Sequence, residues 1–164
     1  EMIINKQVGV FLNLVHNKFK QYVTEIFENQ GFNITPEQFL VIDTLWDEGV
    51  LTQQEIANII LKDKNSVVKL IDGLEERDLV RRVINKKDRR QNLIEVTRYA
   101  LEVKEGITNL AMEAVNHVIN GISKENMQIF LQVLSKMGEN MNKDLNLIEL
   151  AKKYPRNKEI KSIT

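Results

Sequence analysis

A dense cluster of charge lies at residues 81–90, where six lysines and arginines accompany a single acid, Asp88. So many like charges on a short segment repel one another, and an anion such as a nucleic-acid phosphate would relieve that repulsion. Asp88 precedes Arg90 by two residues, so its carboxylate can hold the guanidinium in one orientation through a charge-assisted hydrogen bond. An arginine held in this way is suited to the narrow minor groove of DNA. A solvated charged loop is the alternative interpretation.

The segments on either side of this loop are predicted to be strands. Residues 79–84 and 93–96 are rich in β-branched and apolar side chains, and the basic segment between them could form the tip of a hairpin. We therefore expect a β-hairpin that projects its cations away from the fold. The candidate nucleic-acid contacts on this hairpin are Arg81, Lys86, Lys87, Asp88, Arg89 and Arg90.

Two short helices are predicted immediately before the hairpin. Thr52 and Glu55 have the spacing of a capping box, and a second helix is expected over about residues 64–77 because apolar residues recur there at helical spacing. The second helix begins with short or cationic side chains, which suit base edges and phosphates in a major groove. A solvated helix start is the alternative. The candidate contacts on these helices are Thr52, Gln53, Lys64, Asn65, Ser66 and Lys69.

The order of two helices and a hairpin is typical of a winged helix-turn-helix, and the residues in it resemble the MarR family, the multiple-antibiotic-resistance type of transcriptional regulators. The resemblance rests on Leu74-Glu-Glu-Arg-Asp-Leu-Val80, Asp88-Arg-Arg90 and Glu95-Val-Thr97, and in element order it covers about residues 35–148. Two positions depart from the family pattern. Asp78 stands where a glycine is usual before Leu-Val, and Ala100 stands where a glycine usually follows the exit threonine.

Helices are also predicted before the winged segment. Apolar side chains recur at helical spacing over residues 3–30, and Gly31 is placed to end that helix. Thr35-Pro-Glu-Gln38 combines a capping box with proline at the first helical position, so a helix is expected from there to about Gly49. Residues 50–51 are expected to pair with the hairpin as a short third strand.

Two long helices are predicted after the hairpin. Thr97 is placed to cap the first, which Gly121 ends, and Ser123 is placed to cap the second. The apolar spacing of the second continues through Ile148, so we expect one unbroken helix that Pro155 closes. Residues 152–164 are expected to be a polar, solvated tail, with a DNA-contacting arm as the alternative.

The predicted architecture is mainly α with a small β-wing, in one domain over residues 1–164. A winged helix-turn-helix lobe at residues 35–97 is flanked by long helices at 3–30 and 101–150, which carry more apolar surface than such a domain needs to cover itself. The resemblance implies that the first and last helices interlock in a homodimer. Such a dimer would match a pseudo-palindromic site in double-stranded DNA, with half-sites about one helical turn apart.

The resemblance further implies a repressor that is released by a small aromatic or lipophilic molecule held between the dimerisation helices and the winged lobe. A regulator without such an effector is the alternative. Aromatic residues at helical spacing belong to a core more often than to a ligand pocket, so a core role is the competing interpretation. The candidate lining residues are Phe11, His16, Phe19, Trp46 and Tyr99.

The amino-acid composition argues against several other classes of protein. Lysine plus arginine equals aspartate plus glutamate at 23 each, so any nucleic-acid surface must be local. No cysteine is present and the two histidines are far apart, so we expect no metal site, cofactor or thiol sensor. We find no Ser-His-Asp arrangement or glycine-rich phosphate loop, which argues against an enzyme. Without a recognisable targeting segment a cytoplasmic protein is expected. A winged helix that binds a protein remains the competing function.

Overall fold

The structure, a computed structural model, describes residues 3–156 and is mainly helical with one small sheet, which confirms the predicted fold class. The chain divides into two compact units, Glu1–His117 and Val118–Thr164. The one-domain organisation stays a prediction. The elements in chain order are α1 (Ile4–Asn29), α2 (Pro36–Glu48), β1 (Leu51–Thr52), α3 (Gln53–Ile60), α4 (Lys64–Glu76), β2 (Val80–Ile84), β3 (Asn92–Val96), α5 (Arg98–Val118), α6 (Lys124–Met141) and α7 (Leu147–Lys153).

The sheet has three antiparallel strands in the order β1, β3, β2. Ile94 of β3 is fully buried and pairs with Leu51 on one side and with Arg82 on the other. The predicted third strand is confirmed at Leu51, whereas Val50 lies outside it and is exposed. We call β2, β3 and the loop between them, residues 80–96, the wing.

The core of the first unit lies where α2, α3, α4 and the sheet meet. Both predicted capping boxes are present, at Thr35 with Gln38 and at Thr52 with Glu55. They satisfy backbone N–H groups that would otherwise lack partners, and so fix where α2 and α3 begin. Since burial of an aliphatic side chain is worth about 1.5–3 kcal/mol, the apolar faces of these helices hold the lobe together. The fully buried residues of these three helices include Val41, Ile42, Ile56, Val67, Ile71 and Leu74.

Helices α2 and α4 approach each other closely at Gly73. A Cβ atom at this position would lie 2.3 Å from Nε2 of Gln38, and the Gln38 side chain is buried and committed to the capping box of α2. A side chain here would displace the Gln38 amide from that capping box, so the close approach, rather than a turn, favours glycine.

Helix α4 ends in a Schellman motif. The N–H of Asp78 donates to the carbonyl of Glu75, and the N–H of Leu79 donates to the carbonyl of Leu74. Asp78 has φ +56°, in the left-handed region. The position at which the sequence departs from the family's glycine is thus one where glycine is conformationally favoured. The hydroxyl of Thr97 donates to the Asp78 carbonyl at 2.6 Å, which joins this turn to the start of α5.

Replacing Asp78 with glycine is expected to raise the free energy of unfolding by about 0.5 kcal/mol, because relief of the left-handed strain exceeds the added chain entropy of glycine. Urea denaturation would measure the change. Glu76→Gly, two residues earlier and at the last residue of α4, is the matched control and should lose about 0.5–1 kcal/mol. A loss of stability in Asp78→Gly would show that the Asp78 side chain, and not its backbone conformation, stabilises the turn.

The predicted N-terminal helix is α1, and it is only partly covered. Its buried residues are Val23 and Phe27, both in its second half. The rings of Phe27 and Phe39 lie 5.7 Å apart and attach this half to α2, while Tyr22 stacks on His117 of α5 at 5.9 Å. The earlier turns of α1 expose a run of large apolar side chains, namely Ile4, Val8, Phe11, Leu12, Leu14 and Val15.

The prediction of one unbroken last helix was wrong. Helix α6 begins at the predicted Ser123 cap but ends at Met141, and Asn142 is extended with φ −146° and ψ 112°. The chain then turns back, because Asn142 accepts hydrogen bonds from the N–H groups of Asp144 and Leu145. Leu145 packs beside Gly138, where a Cβ atom would lie 3.1 Å from Cδ2 of the leucine. Asn146 then caps α7 by accepting from the N–H of Glu149 at 3.0 Å.

The expected polar tail is described only in part. Residues 152–153 belong to the last turn of α7 rather than to a tail, and α7 ends two residues before Pro155. Residues 157–164 lie outside the described residues, as do residues 1–2. Within residues 3–156, no helix is both long enough and apolar enough to span a membrane.

Candidate nucleic-acid interface

The start of α4 is fixed by a side-chain cap. Asp63 accepts a hydrogen bond from the N–H of Ser66 at 2.9 Å and another from its hydroxyl at 2.6 Å. These bonds lower the pKa of the Asp63 carboxyl, with the side-chain bond from Ser66 the largest cause. The cap leaves Lys64, Asn65 and Lys69 exposed, while Ser66 is half-buried. The first two turns of α4 thus present two cations and an amide to solvent.

The loop of the wing is held by its own side chains. Asn85 accepts from the N–H of Lys87 at 3.0 Å, and Asp88 accepts from the N–H of Arg90 at 3.1 Å. The same oxygen of Asp88 accepts from Nε of Arg90 at 3.2 Å, which confirms the predicted carboxylate–guanidinium bond. The Arg90 side chain nevertheless remains 91% exposed. Its guanidinium is oriented by Asp88 and accessible to a partner.

The wing, α3 and α4 meet at a small cleft of about 50 Å³. Arg90 reaches this cleft from the wing, and Lys64 reaches it from α4. Two cations that are 26 positions apart in sequence thus share one polar surface, and the other lining residues bear amides that can both donate and accept hydrogen bonds. The complete lining is Gln53, Gln54, Lys64, Arg90, Gln91 and Asn92.

Three of these lining residues, Gln54, Gln91 and Asn92, were missed by the sequence reasoning. They are neutral, so they gave no charge signal. Gln91 and Asn92 directly follow the basic loop, and that adjacency was the available sequence signal. Gln54 also donates from Nε2 to Oδ1 of Asn58 at 2.9 Å, which orients its amide along α3.

Two arginines of the wing have partners within the fold. Arg81, one of the predicted contacts, pairs with Glu95 on the neighbouring strand. Arg82 donates to Asp72 at 2.6 Å and to Glu75 at 2.8 Å, and its guanidinium also reaches the carbonyl of Val68. The excess positive charge of the wing is therefore concentrated in its loop.

Arg82 joins the wing to α4. Its side chain is 19% exposed, whereas those of Asp72 and Glu75 are 55% and 43% exposed. The backbone N–H of Arg82 also donates to Glu75 at 3.3 Å. Because these bonds connect β2 with one side of α4, they set the position of the wing relative to that helix.

The remaining predicted contacts have different surroundings. Thr52 is 8% exposed and its hydroxyl accepts from the N–H of Glu55, so it serves the capping box. Lys86, Lys87 and Arg89 are all exposed on the loop of the wing. A nucleic-acid contact by each of the predicted residues stays a prediction.

The predicted ligand-lining residues lie in separate surroundings. Trp46 packs edge-on against Phe39 with ring centroids 6.5 Å apart, and Lys104 lies 6.0 Å from its ring. Tyr99 instead lines a cleft of about 240 Å³ beside the loop between α1 and α2, together with Arg77. The other three lie along α1, where Phe11 and His16 are exposed and Phe19 is half-buried. A pocket formed by all five residues stays a prediction.

Comparison with known proteins identifies the family of this lobe. The family model described as MarR family matches residues 34–91, which include α2, α3, α4 and most of the wing. The transcriptional regulator MhqR of Bacillus subtilis is 22% identical over 131 residues, which cover 80% of this chain and 89% of that protein.

Solved structures share the fold. A mutant of MarR from Escherichia coli complexed with operator DNA superposes with a TM-score of 0.73 at 18% identity, covering 84% of this chain and 99% of that one. A MepR–DNA complex from Staphylococcus aureus has a TM-score of 0.70 at 24% identity, covering 79% of this chain and 94% of that one. The family match thus assigns residues 34–91 to the MarR family, the curated relative is a transcriptional regulator, and the solved structures show the same fold over most of the chain.

Proposed function

We propose that this protein binds double-stranded DNA in a sequence-specific manner and regulates transcription. The observation that carries the proposal is the polar surface where Arg90, held by Asp88, meets Lys64 and the start of α3. A helix whose exposed first turn is cationic fits a major groove, and an oriented arginine fits the adjacent minor groove. Two solved structures of the same fold are complexes with DNA, which supports DNA binding by this fold.

We further propose that the binding species is a homodimer. The first half of α1 exposes apolar side chains, and α6 exposes Ile129, Phe130 and Leu131. Exposed large apolar side chains on a helix are typical of an association face. A two-fold pair of wings and α4 helices would match a pseudo-palindromic operator with half-sites about one turn apart.

We also propose that the protein is a repressor and that a small molecule releases it from DNA. An effector acts only through a difference in its affinity for the DNA-binding and the released arrangements. Trp46 packs against Phe39 within the lobe and Tyr99 lines the cleft beside the loop between α1 and α2, and these are the aromatic contacts proposed for such a molecule. A regulator controlled only by its own abundance or by a partner needs no such site and is the alternative.

The test is a fluorescence-anisotropy titration against the DNA immediately upstream of the protein's own gene, with random duplex as control and at two salt concentrations. We expect specific binding of one dimer per site. The logarithm of affinity should fall steeply with the logarithm of salt concentration, because several phosphates are neutralised. Equal and weak binding of both duplexes at low salt would contradict the proposal.

A winged helix that binds a protein is the competing function. The wing separates the two possibilities, because a protein-binding wing gains little from an aspartate that orients an arginine among lysines. A salt-independent affinity for DNA would favour the protein-binding function.

A further inference from the structure

The hydroxyl of Ser66 has its proton committed within the fold. It lies 2.6 Å from Oδ2 of Asp63, while the N–H of Ser66 lies 2.9 Å from Oδ1 of the same carboxylate. An ionised carboxylate offers only acceptors, so the serine hydroxyl must be the donor. The lowered pKa of the Asp63 carboxyl keeps that group ionised at neutral pH.

Because the Ser66 hydroxyl donates its proton to Asp63, the side chain can no longer donate a hydrogen bond to DNA. A free hydroxyl can donate or accept, and so it can contact any base edge. At Ser66 only the lone pairs of Oγ remain. Asp63 is exposed beside it and is likewise an acceptor, so the start of α4 combines two acceptor groups with the cations of Lys64 and Lys69.

We infer that Ser66 acts as an acceptor-only specificity determinant, which favours the exocyclic amino group of adenine or cytosine in the major groove and disfavours guanine or thymine at that position. Adenine N6 and cytosine N4 are the amino donors on the major-groove edge, whereas guanine O6 and N7 and thymine O4 are acceptors. The inference rests on the proposed function, in which α4 enters the major groove. Beyond that function, the inference specifies that Ser66 accepts, rather than donates, the hydrogen bond at the base it contacts.

Asp63→Asn should reverse this polarity without removing the cap. Asparagine is as good an N-cap as aspartate. Its oxygen must face the N–H of Ser66, which places its NH₂ group against the serine Oγ. The hydroxyl then accepts from the asparagine, and its own proton is free to donate to a base. The preferred bases should therefore change from adenine or cytosine to guanine or thymine at the same position.

The experiment measures the affinity of the full-length protein for operator duplexes that carry each of the four base pairs at every position of one half-site. For the wild type we expect one position with a preference of about three- to tenfold for adenine or cytosine on the contacted strand, the size of one hydrogen bond. Ser66→Ala should lose the preference at that position, and Asp63→Asn should invert it.

Glu76→Gln is the control for charge, because it removes a carboxylate from an exposed position of the same helix without touching the cap. It should tighten binding to all duplexes alike. Specific binding with an unchanged preference in both Ser66→Ala and Asp63→Asn would overturn the inference and leave the proposed function standing. Absence of specific binding by the wild type would instead overturn the proposed function, and the inference with it.

Discussion

Replacing Arg90 with alanine is expected to weaken binding of the protein to its specific DNA site by about 1–3 kcal/mol. Arg90 is almost fully exposed, and its guanidinium is held by Asp88 at the cleft it shares with Lys64. The substitution removes a contact to DNA without disturbing the core, so the free energy of unfolding should stay within about 0.5 kcal/mol of the wild type. Anisotropy titrations with specific and random duplexes would measure the specific and the non-specific affinity separately.

Asp88→Ala is the companion variant, and it should have two opposite effects on the affinity for DNA. Removing a negative charge beside DNA should by itself strengthen binding, whereas releasing Arg90 from its hydrogen bond should weaken it. We expect the second effect to dominate. Lys87→Ala provides the control, since loss of an exposed cation of the same loop should weaken binding to all sequences alike and reduce the salt slope by about one for each of the two wings. Tighter specific binding by Asp88→Ala would show that Asp88 only repels phosphate.

Replacing Arg82 with methionine is expected to lower the free energy of unfolding by about 1.5–3 kcal/mol, the range for hydrogen bonds to charged groups. Methionine keeps much of the side-chain volume but removes the bonds to Asp72, Glu75 and the Val68 carbonyl. Specific DNA binding should weaken as well, because the wing is no longer fixed against α4 and two carboxylates of α4 lose their counter-charge. Urea denaturation and anisotropy would measure the two effects.

Arg81→Met is the matched control for Arg82→Met. Arg81 is the preceding residue of the same strand, but it is 66% exposed and pairs with Glu95 across the sheet. Exposed pairs of this kind are worth no more than about 1 kcal/mol. Equal losses of stability in the two variants would mean that Arg82 contributes only general charge. A double-mutant cycle with Glu75→Gln would measure the coupling between the wing and α4 directly.

Much of the winged lobe could be predicted from the sequence because its signals are local. The capping residues Thr35, Thr52, Thr97 and Ser123 each act on a backbone N–H three residues away, so residue type and spacing are enough to place the helix starts. The Asp88–Arg90 bond joins residues two positions apart, so it could be predicted from the sequence for the same reason.

The break between α6 and α7 could not be inferred from apolar spacing. Leu145 and Leu147 pack beside Gly138 after the chain has turned back, so the apolar pattern continues across the break even though the helix does not. The local signals were Asn142 and the Asn146–Glu149 cap, which hydrophobic periodicity does not detect.

The hydrogen bonds between Arg82 and α4 could not be predicted from the sequence for a different reason. Asp72 and Glu75 lie ten and seven residues before Arg82, and in sequence they resemble an ordinary solvated helix face. Likewise, the count of six cations over residues 81–90 did not separate the two arginines that the fold uses for itself from the residues of the loop.

The most direct test of the central claim is a chemical footprint of the protein on its operator, with dimethyl sulfate probing guanine N7 in the major groove and hydroxyl radicals probing the backbone. If two copies of α4 and the wing bind one face of the duplex, two major-groove protections should lie about 10–10.5 base pairs apart. Each should be flanked on its outer side by a backbone protection at the minor groove that Arg90 enters, and Arg90→Ala should remove only these outer protections. A single protected patch, or major-groove guanines that stay reactive under saturating protein, would contradict the account.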